Sequence, residues 1–294
     1  MGRQPVVLNF DDAAGEIPGA RVVALQRFQE TIRFGCGWRR FRDFERWLTP
    51  QLPARPGAVF TGSGDYHHLS WLLLRRLPAH RPVQLIVCDN HPDNMRYPFG
   101  IHCGSWVYWA SRLPQVAAVH VIGISSGDIG LRHAWENHWR PLGSGRLTYW
   151  SIGQPARWTR LTGRPGAARD FASAGALLDA LLPQIGPLPV YLSIDKDVLS
   201  PAVVNTNWDQ GTFLERDLLR LIARCKGLLA GADITGDVSL WRYRSRFKRL
   251  LSGADGQLAP DAAQLGRWQP PQQALNRRLL AALDEAWAAD EAAG

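Results

Sequence analysis

The sequence predicts an α/β protein in which a central, mostly parallel sheet carries helices on both faces. Short apolar runs typical of buried strands alternate along the chain with longer segments of helical periodicity. This alternation is typical of parallel sheets, because each strand is followed by a helix that packs against one face. Clusters of acidic residues follow several of the apolar runs. Since functional residues of such sheets gather at the carboxyl ends of the strands, these clusters mark the predicted site.

Each strand is predicted where an apolar run ends before polar or turn-forming residues. The predicted strands are Val6–Phe10, Ala58–Thr61, Val83–Cys88, Ala118–Ile122, Leu147–Ile152, Val190–Ile194 and Leu229–Ile234. The predicted helices are Arg27–Leu48, His68–Leu77, Ser105–Leu113, Phe171–Leu182, Leu214–Cys225 and a closing helix over Pro271–Ala289. No linker-like segment divides the chain, so the sequence predicts one domain over residues 1–294.

The composition is that of a globular protein with a large core. Of the 294 residues 46% are hydrophobic, and no apolar run is long enough to span a membrane. No basic segment followed by an apolar one begins the chain, so no secretory signal is expected. The 4 cysteines are scattered, which favours a reduced, cytoplasmic setting. The net charge of +8 comes mostly from dispersed arginines without a nucleic-acid-binding motif, so neither nucleic acid nor a membrane is an expected partner.

Two clusters of aspartate and histidine carry most of the functional information. Asp89, His91 and Asp93 follow the run Val83–Cys88, and Asp195 and Asp197 follow the second run, over residues 190–194. Carboxylates are rare at the ends of buried strands unless a positive charge compensates them. Side chains at every second position of an extended segment point the same way, so each cluster is expected to face one side. This donor set predicts a site for two divalent cations.

A third segment makes the pattern similar to a known family. Gly62-Ser63-Gly64-Asp65-Tyr66-His67-His68 follows another predicted strand. Together with Asp-x-His-x-Asp and Ser-x-Asp-x-Asp, and in the same order along the chain, it resembles the arginase (ureohydrolase) superfamily. The resemblance implies an arginase-like three-layer sandwich. It also implies a hydrolase that binds two Mn2+ ions and cleaves a guanidinium group to urea and an amine.

The resemblance also implies the metal ligands. They are expected to be His67, Asp89, His91, Asp93, Asp195 and Asp197. Either His67 or His68 can supply the first histidine, and His67 is preferred because the run from His67 to Ser70 fits the family's helix start without a gap. His68 is then expected either to support the metal ligands from behind or to face the substrate. A mixed set of imidazoles and carboxylates favours Mn2+ over metals that prefer soft ligands.

Two catalytic roles are implied for residues outside the metal ligands. A guanidinium needs a carboxylate partner, which the family places after its last central strand. Gly236 stands where a glutamate is usual, so Asp237 is the expected partner and Asp233 the reserve. His102 occupies a place comparable to that of the family's proton shuttle. The usual pKa of histidine, near neutrality, would suit protonation of the leaving amine.

The chain departs from the family at the substrate end of the site. Ser200 replaces an aspartate, and residues 201–211 form a polar, aromatic loop where a glycine-rich loop is usual. The family's contacts to a free amino acid are not apparent in residues 94–99 either. These departures are similar to the peptide arginase branch, which converts arginine residues of a precursor peptide to ornithine. Asn94, Asn205 and Trp208 are the expected substrate contacts.

Three alternative functions remain open from the sequence. The first is hydrolysis of a small guanidino compound, such as free arginine or agmatine. The second is a metal-dependent deacetylase of the same fold, which would use one zinc ion and fewer carboxylates. The third is a non-catalytic binding protein that keeps the site as a relic. Metal content separates these classes. Two equivalents of manganese are expected for a guanidino hydrolase, one equivalent of zinc for a deacetylase, and no metal for a binding protein.

Overall fold

The protein is described here by a computed structural model covering residues 3–254 and 256–291. Within these residues nine strands form one sheet in which every neighbouring pair runs parallel. The strands are β1 Val6–Asn9, β2 Arg21–Ala24, β3 Gly35–Cys36, β4 Val59–Gly62, β5 Val83–Cys88, β6 Ile101–His102, β7 Val116–Ile124, β8 Leu147–Ile152, β9 Ala168–Phe171, β10 Val190–Asp195 and β11 Leu229–Thr235. The order across the sheet is β2-β1-β4-β11-β10-β5-β7-β8-β9, while β3 and β6 form a separate antiparallel pair.

The helices cover both faces of this sheet. They are α1 Gln29–Ile32, α2 Trp38–Leu48, α3 Leu69–Arg75, α4 Trp106–Ala110, α5 Trp139–Gly143, α6 Ala174–Leu181, α7 Glu215–Arg224, α8 Arg246–Ala254 and α9 Ala262–Glu291. No helix among the described residues has the length and apolar character needed to cross a membrane.

Alternation along the central strands divides the core into two apolar layers. On β5, Leu85 and Val87 belong to the apolar cluster that contains residues of α2, α3 and α4, whereas Ile86 and Cys88 belong to the cluster that contains residues of α6, α7 and α9. All four side chains are fully buried. A strand buried on both faces has to be apolar throughout, which is why these runs are visible in the sequence. The predicted sheet with helices on both faces is confirmed.

Three predicted helices have wrong bounds, and one of them, expected from Phe171, begins at Ala174 because Phe171 is the last residue of β9. The helix expected over Arg27–Leu48 is interrupted, because Phe34 has a left-handed φ of 69° and β3 follows it. A side chain in this conformation cannot continue an α-helix. The closing helix begins at Ala262 and runs through Pro270 and Pro271, so Pro271 does not mark its start. The sequence also gave no sign of β2 and β9, the two edge strands, whose residues are mostly exposed or half-buried.

Four adjacent strands bring the predicted motifs together. In the order β4-β11-β10-β5, the carboxyl ends lie side by side at one edge of the sheet. The segments that begin at Gly62, Asp89, Asp195 and Gly236 therefore leave the sheet at neighbouring positions. A site at this edge follows from the parallel topology, as expected for open α/β sheets.

Candidate metal centre

His67 is surrounded by carboxylates from two other segments. Its Nδ1 lies 3.1 Å from an oxygen of Asp89, 3.0 Å from one of Asp93 and 3.4 Å from one of Asp195. All four side chains are buried. The ligand atoms of His67, Asp89 and Asp93 lie close enough together to hold one metal ion.

His91 forms a second group that shares Asp89 with the first. Its Nδ1 lies 3.0 Å from Asp197 Oδ2 and 3.4 Å from Asp89 Oδ1. The two oxygens of Asp89 therefore face different histidines, since Oδ2 lies near His67. The ligand atoms of Asp89, His91 and Asp197 also satisfy the spacing needed for one ion. The structure thus provides two neighbouring ligand groups with a common carboxylate.

Two further observations show that the residues fit divalent cations. His67 Nδ1 is buried and makes no hydrogen bond, although the carboxylates are near it. Burial, together with the charge of Asp89, raises the pKa of both Asp93 and Asp197 to about 7. Carboxylates crowded in a buried site repel one another, and a bound cation removes this repulsion. Nitrogen and oxygen donors are compatible with Mn2+.

The first acidic cluster reaches the site through a turn rather than an extended segment. β5 ends at Cys88, and Asp93 has a left-handed φ of 47°. The expectation that alternation along an extended stretch aligns these side chains is therefore wrong. The turn is held by α4, because Trp106 Nε1 donates to Asp93 Oδ2 at 2.7 Å and Val107 N donates to Asp93 O at 2.9 Å. Such a conformation persists where surrounding contacts determine it.

The second acidic cluster combines a strand end with one short helical turn. Asp195 is the last residue of β10, and Asp197 lies in the 3-10 turn Lys196–Val198. The backbone N–H of Asp197 donates to Asp195 Oδ1 at 3.1 Å. Asn90 N donates to Asp197 Oδ1 at 3.0 Å, which joins the two clusters directly.

Hydrogen bonds behind His67 fix the orientation of its ring. Its Nε2 lies 3.0 Å from Ser193 Oγ, and Ser193 Oγ donates to Asp233 Oδ1 at 2.7 Å. Ser70 and Tyr191 also donate to Asp233. With Ser193 donating to the carboxylate, Nε2 of His67 carries the proton and Nδ1 keeps its lone pair for a metal. Asp233 therefore lies behind the ligand and is not exposed to a substrate.

His68 and Asn94 do not reach the cavity at the metal cluster. His68 is buried beside Phe41, with ring centroids 5.5 Å apart. Asn94 Nδ2 donates to the carbonyl of His138 at 2.9 Å and to the hydroxyl of Tyr149 at 2.7 Å. The structure thus gives both residues packing roles where substrate contacts were predicted.

Trp208 lines the cavity, whereas Asn205 is not among the described lining residues. A Cβ atom at Gly64 would lie 3.2 Å from Trp208 Cδ1, so the glycine allows the indole to approach the metal cluster. The carbonyl of Asn205 accepts a hydrogen bond from Gln272 Nε2 at 2.6 Å, which ties this part of the loop to α9. Of the two predicted loop contacts, Trp208 is the one that lines the cavity.

Asp237 is engaged by a buried lysine. Lys196 Nζ donates to Asp237 Oδ1 and, at 2.9 Å, to Asn276 Oδ1. Both charged side chains are fully buried. The preceding Gly236 has a φ of +86°, and a Cβ atom there would lie 2.4 Å from Asp195 Oδ1. No side chain can therefore replace the family's glutamate at Gly236, and the expected shift of the guanidinium partner to Asp237 conflicts with its pairing to Lys196.

His102 lines the cavity with a neutral ring. Burial lowers the pKa of His102 to about 4, so its pKa is not in the neutral range expected from the sequence. Its Nδ1 accepts a hydrogen bond from Gly104 N at 3.0 Å, which leaves the proton on Nε2. The ring stacks on Tyr97 with centroids 4.9 Å apart. His102 is therefore placed to donate a hydrogen bond at neutral pH rather than to carry a charge.

The cavity lined by the candidate metal ligands has a volume of about 410 Å³. Asp128, His133, Glu136 and Asp209 also line it. These four residues were not predicted from the sequence, because they lie outside the motifs and only folding brings them to the cavity. The described lining contains no lysine or arginine. The cavity is therefore acidic, and it suits a substrate that carries positive charge.

Comparisons with known proteins identify the fold. No protein-family model matches the chain. An uncharacterised protein of Thermotoga maritima is 28% identical over 205 residues, which is 68% of each chain. Proclavaminate amidino hydrolase of Streptomyces clavuligerus superposes with a TM-score of 0.56 at 18% identity, covering 97% of this chain and 93% of that one. Agmatine ureohydrolase of Thermoplasma volcanium gives 0.54 at 13% identity, covering 99% and 92%.

A third solved structure that superposes on the chain was determined with Mn2+. It is a variant of formiminoglutamase from Trypanosoma cruzi, with a TM-score of 0.50 at 15% identity, covering 84% of this chain and 71% of that one. These likenesses confirm that the chain has the arginase-like fold predicted from the sequence.

Replacing His67 by asparagine is expected to lower the affinity for Mn2+ by at least about a hundredfold. It removes a ligand nitrogen, and losing a hydrogen-bond partner of a ligand already costs about 10- to 100-fold. His68→Asn is the matched control, because its neighbouring ring is equally buried but does not line the cavity. Titration calorimetry on protein shown to be folded by circular dichroism measures both. Equal losses in the two variants would refute the preference for His67.

Asp237→Asn is expected to lower the free energy of unfolding by about 3–5 kcal/mol, because it leaves Lys196 as an unpaired buried charge. Urea denaturation measures this change. The double variant Lys196→Met/Asp237→Leu replaces both charges with apolar groups and should recover most of the loss. Wild-type stability of Asp237→Asn, combined with a raised KM for guanidino substrates, would instead assign Asp237 to substrate recognition.

Proposed function

We propose that the chain is a metal-dependent hydrolase of the ureohydrolase superfamily, which cleaves a guanidino group to urea and an amine. The observation that carries this proposal is the pair of ligand groups that share Asp89, in which every side chain but the half-buried His91 is buried. They lie at the carboxyl edge of a sheet with the arginase-like fold. A deacetylase with one zinc ion would not need the second group around His91. A relic site would not be expected to keep both groups.

We propose two Mn2+ ions as the cofactor. His67, Asp89, Asp93 and Asp195 would hold one ion, and Asp89, His91 and Asp197 the other. When bound, a pair of divalent cations activates water as a nucleophile for attack on an electrophilic carbon. The protein's own contribution is to hold the ligands in a fixed geometry and to keep the cluster buried.

Recognition of the guanidinium requires a carboxylate from another part of the cavity. Gly236 cannot carry one, and Asp237 is paired with Lys196. Asp128 and Glu136 line the cavity without belonging to either ligand group. Both are partly exposed, so they can reach a bound substrate. A carboxylate that accepts paired N–H donors is the partner that a guanidinium selects.

His102 would serve the leaving amine as a neutral hydrogen-bonding group. Its low pKa excludes a standing positive charge at neutral pH. The Nε2–H of the neutral ring can donate a hydrogen bond to the departing nitrogen, while the proton that the amine takes up comes from the attacking water. The stacked ring of Tyr97 holds the imidazole in place. The predicted proton shuttle is thereby replaced by a hydrogen-bond donor that orients the leaving group.

For the substrate, we propose an arginine residue within a peptide, which would become ornithine. Free arginine carries a carboxylate, and the described lining offers it no cationic partner. An aromatic row leads outward from His102 through Tyr97 to Phe99 and Phe247. Phe99 is 57% exposed and Phe247 45% exposed, so both can contact side chains that neighbour the arginine.

A small guanidino amine of the agmatine type is the second candidate. Asp128 and Glu136 would pair with its distal ammonium as well as they would with a guanidinium. This alternative also explains the lack of cationic lining residues. The two candidates differ in whether the aromatic row contributes to binding.

Blocking both ends of arginine is expected to raise kcat/KM at least about tenfold over free arginine. Without a cationic partner, the carboxylate of free arginine loses hydrogen bonds that contribute about 1.5–3 kcal/mol, and blocking removes this carboxylate charge. Urea release should be compared for free arginine, N-acetyl-arginine amide, an arginine-containing peptide and agmatine. Fastest turnover of free arginine would reject the peptide proposal, and fastest turnover of agmatine would favour the second candidate.

Asp128→Asn and Glu136→Gln are each expected to lower kcat/KM by about ten- to a hundredfold while the metal content is unchanged. Each removes a charged acceptor for the substrate cation, worth about 1.5–3 kcal/mol. Asp179→Asn is the control, since Asp179 pairs with Arg220 on the surface outside the cavity. If neither cavity variant differs from this control, these carboxylates do not recognise the substrate.

A further inference from the structure

His91 has carboxylates at both ring nitrogens. Nδ1 faces Asp197 and Asp89 within the metal cluster, at 3.0 and 3.4 Å. Nε2 lies 2.7 Å from Asp209 Oδ1, on the opposite side of the ring. Asp209 lies in the segment over residues 201–211, where the sequence departs from the ureohydrolase pattern. The loop over residues 201–211 thus contacts a predicted metal ligand and also lines the cavity.

Asp209 is fixed in this position although its side chain is 63% exposed. Asn90 Nδ2 donates to both the carbonyl and Oδ2 of Asp209, each at 3.0 Å. Asn90 Oδ1 in turn accepts from Ser125 Oγ at 2.7 Å. The side-chain amide of Asn90 therefore holds the loop beside His91. The two carboxylate oxygens of Asp209 have different partners, since Oδ2 accepts from Asn90 and Oδ1 faces the ring of His91.

We infer that Asp209 is a positioning residue that prepares His91 to bind a metal ion. A histidine that binds through Nδ1 must carry its proton on Nε2. Asp209 accepts that proton in a hydrogen bond, which fixes the tautomer and turns the Nδ1 lone pair toward Asp89 and Asp197. A carboxylate in this place also makes the imidazole a stronger ligand. The inference rests on the proposed function only through the metal site, and it does not depend on the substrate.

The two ligand groups are consequently supported in different ways. His67 is oriented by the buried network of Ser193 and Asp233, which belongs to the strands of the sheet. His91 is oriented by Asp209 from a loop that is partly exposed. Loss of Asp209 should therefore weaken one metal position and leave the other intact. A residue with only a general structural role would weaken both.

Asp209→Asn and Asp209→Ala test this inference, with Glu136→Gln as the matched control. Glu136 also lines the cavity and pairs with a histidine, at 3.1 Å, but that residue is His133, which belongs to neither ligand group. Mn2+ titration calorimetry and metal analysis give the affinity and stoichiometry. We expect Asp209→Asn to lower affinity at one of two positions by about 10- to 100-fold, and Asp209→Ala by at least as much. Glu136→Gln should leave both affinities at the wild-type value.

The outcomes separate this inference from the proposed function. Wild-type affinity at both positions in the Asp209 variants would overturn the inference, and so would equal losses at both positions. A wild-type protein that binds two Mn2+ ions but releases no urea from any guanidino substrate would overturn the proposed function and leave the inference standing. A wild-type protein that binds no Mn2+ would overturn both.

Discussion

The crowding of carboxylates around Asp89 is the constraint on which the rest of the site depends. Asp93, Asp195 and Asp197 are buried beside it, and two histidine nitrogens point into the same space. Such an arrangement is electrostatically unfavourable by itself, since like charges out of water repel strongly. Divalent cations convert this repulsion into attraction. The carboxyl edge of the sheet therefore suits divalent cations, and the surrounding contacts keep the candidate ligands in place.

The candidate ligands are held by the central strands and by the helices packed against them. β10 and β11 supply Ser193 and Asp233 behind His67, and α4 fixes the left-handed turn at Asp93 through Trp106. Lys196, between the two aspartates of the second cluster, is anchored by residues of the segment after β11 and of α9. The metal cluster and the packing of α9 are consequently coupled. Rigid supports of this kind give a metal site its preference for one geometry.

The candidate metal ligands and the rest of the cavity lining come from separate parts of the chain. At Gly236 the backbone passes so close to Asp195 that no side chain fits. Asp128 and Glu136 line the cavity but belong to neither ligand group. The row of aromatic rings that begins at His102 also lies outside both ligand groups. The ligand groups and the remaining surroundings of the cavity are thus supplied by different segments.

The sequence alone determined the central strands of the sheet and the residue types of the candidate metal ligands, because buried parallel strands and carboxylates at their ends leave clear local patterns. Central strands such as Val83–Cys88 were predicted with their observed bounds. The tertiary structure decided which acids serve which purpose. Asp237 pairs with Lys196, while Asp209 contacts His91 although more than a hundred residues separate them in the sequence. Local pattern specifies which side chains leave a strand, but only the packing of distant segments determines which partner each one meets.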